Sequence, residues 1–197
     1  MTGLRIEQGP ESTRKKTLAI VVVIALIAVV VGLLLLRQGA TPTTYGHDVG
    51  DVPPDFTLPD TDNVPWNLEA HVGNGKPTLL EFIHPGVPAC QSIADDLESM
   101  NTDYQGRIEI VSVAVTFEYG GLQNPPTVEG TRDVKAALGS SWTYVVETNG
   151  TSVRDAYGID RVPTFFLIGK DGTIAYIHLG GLNLTALRDA IDAALAR

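Results

Sequence analysis

Residues 17–36, Thr-Leu-Ala-Ile-Val-Val-Val-Ile-Ala-Leu-Ile-Ala-Val-Val-Val-Gly-Leu-Leu-Leu-Leu, run for 20 positions without a charged side chain. A helix needs about 20 apolar residues to cross the hydrocarbon core of a bilayer, so this run reads as a transmembrane helix. A core helix of that length would carry a polar face, and this one has none. The alternative is a cleaved leader, whose apolar stretch is about 7 to 15 residues and ends in small residues. The run here is longer and meets Arg37, Gln38 and Gly39. The expected layout is an N-terminal segment 1–16, a span 17–36, a linker 37–54 and a folded domain 55–197.

The flanks orient the span. Arg5, Arg14, Lys15 and Lys16 precede it, whereas only Arg37 follows before Lys76, and an excess of Lys and Arg marks the cytoplasmic side. The expectation is a single-pass protein of the cell membrane with a cytoplasmic N-terminus and an extracytoplasmic C-terminal domain. Charge divides at the same place. Through Arg37 there are 5 basic and 2 acidic residues, net +3, and beyond it 9 basic and 21 acidic, net −12. An acidic outer domain excludes nucleic acid as a partner, because that function requires a basic patch. A single cysteine, Cys90, cannot form an internal disulfide, so a domain facing an oxidising compartment must rely on its hydrophobic core.

Gly39 to Pro54 is rich in Thr, Pro, Gly and Asp without apolar periodicity and reads as a tether. After it, strand and helix signals alternate. Thr78 to His84 is a short apolar, β-compatible run, and from Pro88 to about Asn101 the spacing of Ile93, Leu97 and Met100 predicts one helix. Residues 108–115, Ile-Glu-Ile-Val-Ser-Val-Ala-Val, have the near-continuous apolar character of a strand covered on both faces. Thr131 to Leu138 and Val153 to Tyr157 read as short helices, with a strand from Trp142 to Val146 between them. Thr164 to Ile168 and Ile174 to His178 flank Lys170-Asp171-Gly172, a strong hairpin signal. A last helix from about Asn183 to Ala196 places Leu184, Leu187, Ile191, Ala194 and Leu195 on one face. The pattern predicts an α/β fold, a central mixed sheet flanked by helices. Residues 117–130 read as a long loop at the end of a central strand, either a gate or a disordered surface segment.

The candidate chemistry lies at residues 86–90, Gly-Val-Pro-Ala-Cys, between the Thr78–His84 strand and the helix after it. Gly50-Asp51-Val52-Pro53-Pro54-Asp55-Phe56-Thr57-Leu58, Lys76-Pro77-Thr78-Leu79-Leu80-Glu81-Phe82 and Tyr157-Gly158-Ile159-Asp160-Arg161-Val162-Pro163-Thr164 together resemble the membrane-anchored thioredoxin-like proteins of the TlpA/ResA type, relatives of the AhpC/TSA peroxiredoxins. The resemblance covers residues 48–196. It implies a thioredoxin-like fold and a thiol-disulfide oxidoreductase acting on exported proteins with thiols or disulfides, supplied by a membrane electron donor. It implies no cofactor.

By the same resemblance, Val87 stands where the family has the first, attacking cysteine of Cys-x-x-Cys, and Cys90 where it has the second. Valine has no lone pair and no titratable proton. The site is therefore expected to be monothiol or degenerate, with Cys90 either a reactive thiol or an inert core residue. Glu81 matches the family's buried acid beneath the second cysteine, and an acid in an apolar strand is costly to bury unless partnered; a solvent-facing position at a strand edge is the other reading. Val162 and Pro163 match the cis-proline block that offers backbone hydrogen bonds to a bound peptide. This leaves a second function open, a redox-inactive peptide-binding or assembly module. Peroxide reduction is disfavoured, because Val87 and Ile83 occupy the positions that should be Thr and Pro, three and seven residues before the cysteine. Metal binding is not expected: Cys90 and His84 alone fall short of a coordination set. Asn149 and Asn183 begin glycosylation sequons, a pattern short enough to arise by chance.

Overall fold

The computed structural model describes residues 20–29, 44–119, 122–148, 150 and 152–197. The chain divides into two compact units, Met1–Thr43 and Thr44–Arg197. Of the first, residues 20–29 are helical with exposed aliphatic side chains. No helix among the described residues is long and apolar enough to cross a membrane; the rest of the 17–36 span, together with 1–16 and 37–43, lies outside them.

The second unit is built on a five-stranded sheet. Its strands are β3 (Thr78–Ile83), β4 (Glu109–Ala114), β7 (Thr143–Val146), β8 (Thr164–Ile168) and β9 (Ile174–Leu179), in the order β7-β4-β3-β8-β9. β3, β4 and β7 are parallel, and β8 and β9 join antiparallel, so the sheet is mixed. Every residue of β3 is buried, which is why its sequence is almost uniformly apolar. Side chains alternate between two layers. Leu79, Ile83, Ile110, Ala114, Phe165 and Leu167 pack with helices α1 (Pro88–Gln91), α2 (Ala94–Asp103) and α5 (Leu184–Ala196). Leu80, Phe82, Val111, Val113, Phe166 and Ile168 pack against Val153 of α4 (Ser152–Ala156) and Trp66 of a small hairpin, β1 (Thr57–Pro59) with β2 (Pro65–Asn67).

Several elements differ from the sequence expectation. The helix expected from Pro88 to Asn101 is broken: α1 ends at Gln91, and Ile93 leaves the helical region at φ −102°, ψ 1°. The Ser92 hydroxyl donates to the Ala89 carbonyl at 3.0 Å, the acceptor that the Ile93 N–H would use in a continuous helix, and such side-chain bonds compete with helical ones. The expected loop 117–130 holds a hairpin, β5 (Phe117–Tyr119) with β6 (Leu122–Asn124), and the start of α3 (Val128–Leu138). α3 begins three residues earlier than its apolar pattern indicates, because the Thr127 hydroxyl accepts the Gly130 N–H at 3.0 Å and caps it. It ends at Gly139, in the left-handed region at φ 66°, as helix C-termini often do. Thr44 to Pro54, tether-like in composition, is bonded to the domain. Gly50 and Asp51 exchange backbone hydrogen bonds with Ile174 at 2.8 Å, and the Tyr157 hydroxyl donates to the Pro54 carbonyl at 2.8 Å.

Candidate functional site

At its C-terminal end β3 runs directly into the turn that starts α1. The Val87 N–H donates to the His84 carbonyl at 2.9 Å, and the Cys90 N–H to the Val87 carbonyl at 3.0 Å. The Gly86 N–H donates to Nδ1 of His84 at 3.1 Å, and Gln91 Nε2 to the Pro85 carbonyl at 2.7 Å. Val87 is the helix N-cap and Pro88 the first helical residue, where proline's missing N–H costs nothing. Val87 offers no side-chain acceptor to the helix start.

Val87 and Cys90 are both buried, at 8% and 6% exposed. Both belong to the packed layer on one face of the sheet, and Val162 packs against that layer. The Val162–Pro163 peptide is cis. Val87 and Cys90 thus share one apolar cluster, and Val162 packs against both that cluster and the one on the other face of the sheet. Cys90 is a free thiol. Burial pushes its pKa up to about 12, a hydrogen bond from the His84 backbone pulls it down, and the Glu81 charge adds to the rise.

Glu81 is inside the protein, 2% exposed. On β3 it alternates in phase with Leu79 and Ile83, so it points into the same layer as Cys90. Burial raises its carboxyl from 4.5 to about 7, against the lowering effect of a hydrogen bond from Ser112. The register explains the partner. Ser112 lies beside Glu81 on β4, and Tyr144 beside Ser112 on β7. The Ser112 hydroxyl donates to Glu81 Oε2 at 2.5 Å and accepts the Trp142 indole N–H at 2.8 Å. Tyr144 donates to the Ser140 hydroxyl at 3.0 Å, and burial raises its phenol to about 12. Sequence reasoning missed Ser112, Trp142 and Tyr144. Ser112 carried a signal, as the lone hydroxyl within the apolar run Ile110 to Val115.

Beside the turn lies a cleft of about 380 Å³, with His84, Gly86 and Gln91 on one wall and Pro125, Pro126 and Val134 on the other. Among the described residues no group of three or more His, Cys, Asp or Glu side chains is placed to hold a metal ion.

β3 thus leads into a short helix that carries Cys90, the buried acid Glu81 points into the same layer, and the valine of the cis Val162–Pro163 peptide packs against that layer. Residues 49–177 match the model of the AhpC/TSA family. The chain belongs to the AhpC/TSA family. Among characterised relatives it is 26% identical over 147 residues to the methylamine utilization protein MauD of Methylobacillus flagellatus, a match covering 73% of this chain and 65% of that one. The chain thus spans just under two thirds of that relative's length. It is 27% identical over 161 residues to the thiol-disulfide oxidoreductase ResA of Halalkalibacterium halodurans, covering 81% of this chain and 84% of that one. A solution structure described as a thioredoxin from Neisseria meningitidis superposes with a TM-score of 0.62 at 26% identity, covering 74% of this chain and 91% of that one. The fold of this AhpC/TSA member is thioredoxin-like, and its likeness is to thiol-disulfide oxidoreductases.

Proposed function

We propose that this AhpC/TSA member is a membrane-anchored, extracytoplasmic thioredoxin-like protein in which the thiol-disulfide oxidoreductase site has become degenerate. It engages exported polypeptides that carry thiols or disulfides, and it does not turn disulfides over by itself. The observation that carries the reading is the state of Cys90: a thiol 6% exposed, with its pKa raised to about 12, behind an aliphatic residue at the attacking position. Nucleophilic exchange needs an accessible thiolate, and this site supplies neither access nor ionisation. What persists is a surface. The cleft between His84 and Pro126 borders the turn before α1, and with the partly buried Val162 of the cis Val162–Pro163 peptide it would suit an extended segment with small apolar side chains. Peroxide reduction finds no support, since Ile83 and Val87 replace the residues that orient a peroxide.

One observation favours a second reading, a monothiol oxidoreductase: Glu81 faces the Cys90 layer with a carboxyl that titrates near 7, suited to take a proton from a neighbouring group at neutral pH. Turnover and binding assays on the full chain separate the two. Under the first reading the wild-type protein leaves the reduction of insulin by dithiothreitol at its background rate. It also binds a fluorescent, cysteine-free extended peptide whose anisotropy signal falls in Val162→Arg. Insulin reduction at a dithiol enzyme's rate, or no peptide binding at all, would overturn it.

A further inference from the structure

The hydrogen bonds beneath Cys90 start from a group that can only donate. An indole N–H donates and cannot accept. Trp142 therefore makes Ser112 Oγ an acceptor, at 2.8 Å, and the single hydroxyl proton of Ser112 is shared between Glu81 Oε2, at 2.5 Å, and the Tyr144 phenol oxygen, with the short contact to Glu81 the stronger claim on it. We propose that Trp142 and Ser112 are positioning residues, a fixed donor chain that aims a hydroxyl proton at Glu81 and so sets the charge of the acid facing Cys90. The inference rests on reading Cys90 and Glu81 as the remnant of a thiol site, but not on whether the protein binds a client.

The arrangement has features that packing alone does not require. All three residues are buried, with Ser112 at 0%, Glu81 at 2% and Trp142 at 5% exposed. Filling the gap under α1 would take only an apolar side chain. A serine between an indole and a carboxylate instead locks a rotor that would otherwise sample three positions. A hydroxyl donating to a carboxylate favours its ionised form, so the chain opposes the effect of burial and holds Glu81 within reach of neutral pH. The other titratable groups facing Glu81 are few. They are Cys90 on α1 and Tyr144 on β7, both coupled to it electrostatically, with His84 just beyond the end of β3, His178 two strands away on β9, and the phenols of Tyr104 and Tyr176 in the same packed layer. From α2 and α5 the layer receives Ala94, Leu97, Met100, Leu187, Ile191 and Ala194, none of which titrates.

The test is a 13C NMR titration of the Glu81 side-chain carboxyl in the full-length chain, assigned by its absence in Glu81→Gln. In the wild type the midpoint falls near 7. Ser112→Ala should move it upward by about one pH unit, the worth of a charge-assisted hydrogen bond. Trp142→Phe, which frees the hydroxyl to point elsewhere, should move it in the same direction by less, while Ser112→Thr should restore the wild-type midpoint. Trp142→Phe and Ser112→Thr alone decide the matter if Ser112→Ala fails to fold. Midpoints that stay put, or fall, while thermal stability drops would reduce the chain to ordinary core packing. Such a result would leave peptide binding, and the proposed function with it, untouched.

Discussion

Replacing Glu81 by glutamine changes the pH dependence of stability in a way whose size follows from burial. In the folded domain the carboxyl keeps its proton up to about pH 7, whereas its ordinary value is 4.5. Between those values the folded state binds more protons than the unfolded one, so stability falls as pH rises. The contribution is complete below pH 4.5 and gone above pH 7. A displacement of 4.5 to about 7 corresponds to about 3 kcal/mol at 1.36 kcal/mol per pH unit. Glutamine has nearly the same shape, still accepts from Ser112 and does not titrate. The stability of the wild type relative to Glu81→Gln should therefore drop by about 3 kcal/mol from pH 4 to pH 8. Urea titrations of both proteins at each pH give the difference by linear extrapolation. Other ionising groups, such as the buried Glu147 whose carboxyl is also raised by desolvation, cancel in the subtraction. A difference constant to within about 0.5 kcal/mol over that range would refute the reasoning, since independent sites contribute no more than that.

Three further outcomes bear on the site and its setting. Native Cys90 should react with iodoacetamide at pH 7 roughly 30-fold more slowly than in urea, because a pKa raised from 9.0 to about 12 cuts the thiolate about a thousandfold while higher intrinsic nucleophilicity returns part of the loss; equal rates would contradict the buried thiol. Val87→Cys should confer dithiothreitol-dependent insulin reduction that Val87→Cys with Cys90→Ser lacks, and a folded but inactive Val87→Cys would contradict the placement of the motif. Alkaline phosphatase fused after Arg197 should be active in a bacterial host and inactive when fused before residue 17, the reverse pattern arguing against an extracytoplasmic domain.

The strands were the most legible part of the fold, for reasons visible in particular residues. β3 and β4 are covered on both faces, so Leu79 to Ile83 and Ile110 to Ala114 are almost continuously apolar, and Asp171-Gly172 announces the β8–β9 hairpin, with Gly172 at φ 81°. The break after Gln91 was hidden because the apolar spacing from Cys90 through Ile93, Leu97 and Met100 continues across it; only the Ser92 hydroxyl marks the interruption. The docking of Thr44 to Pro54 was hidden too, since its bonds run through backbone atoms of Gly50, Asp51, Ile174 and Pro54, with Tyr157 reaching the last, and leave no trace in apolar periodicity. At the site, the position of Val87 and Cys90 could be read along the chain. The acid Glu81 stood out as an anomaly in an apolar run. Trp142 lies 30 residues from Ser112, and their contact depends on the β4–β7 register, which is set by tertiary pairing and not by local sequence.

With one cysteine in the sequence, this domain cannot interconvert within itself between a bridged and an open covalent form. No internal bridge therefore adds to its stability in oxidising surroundings or is lost in reducing ones.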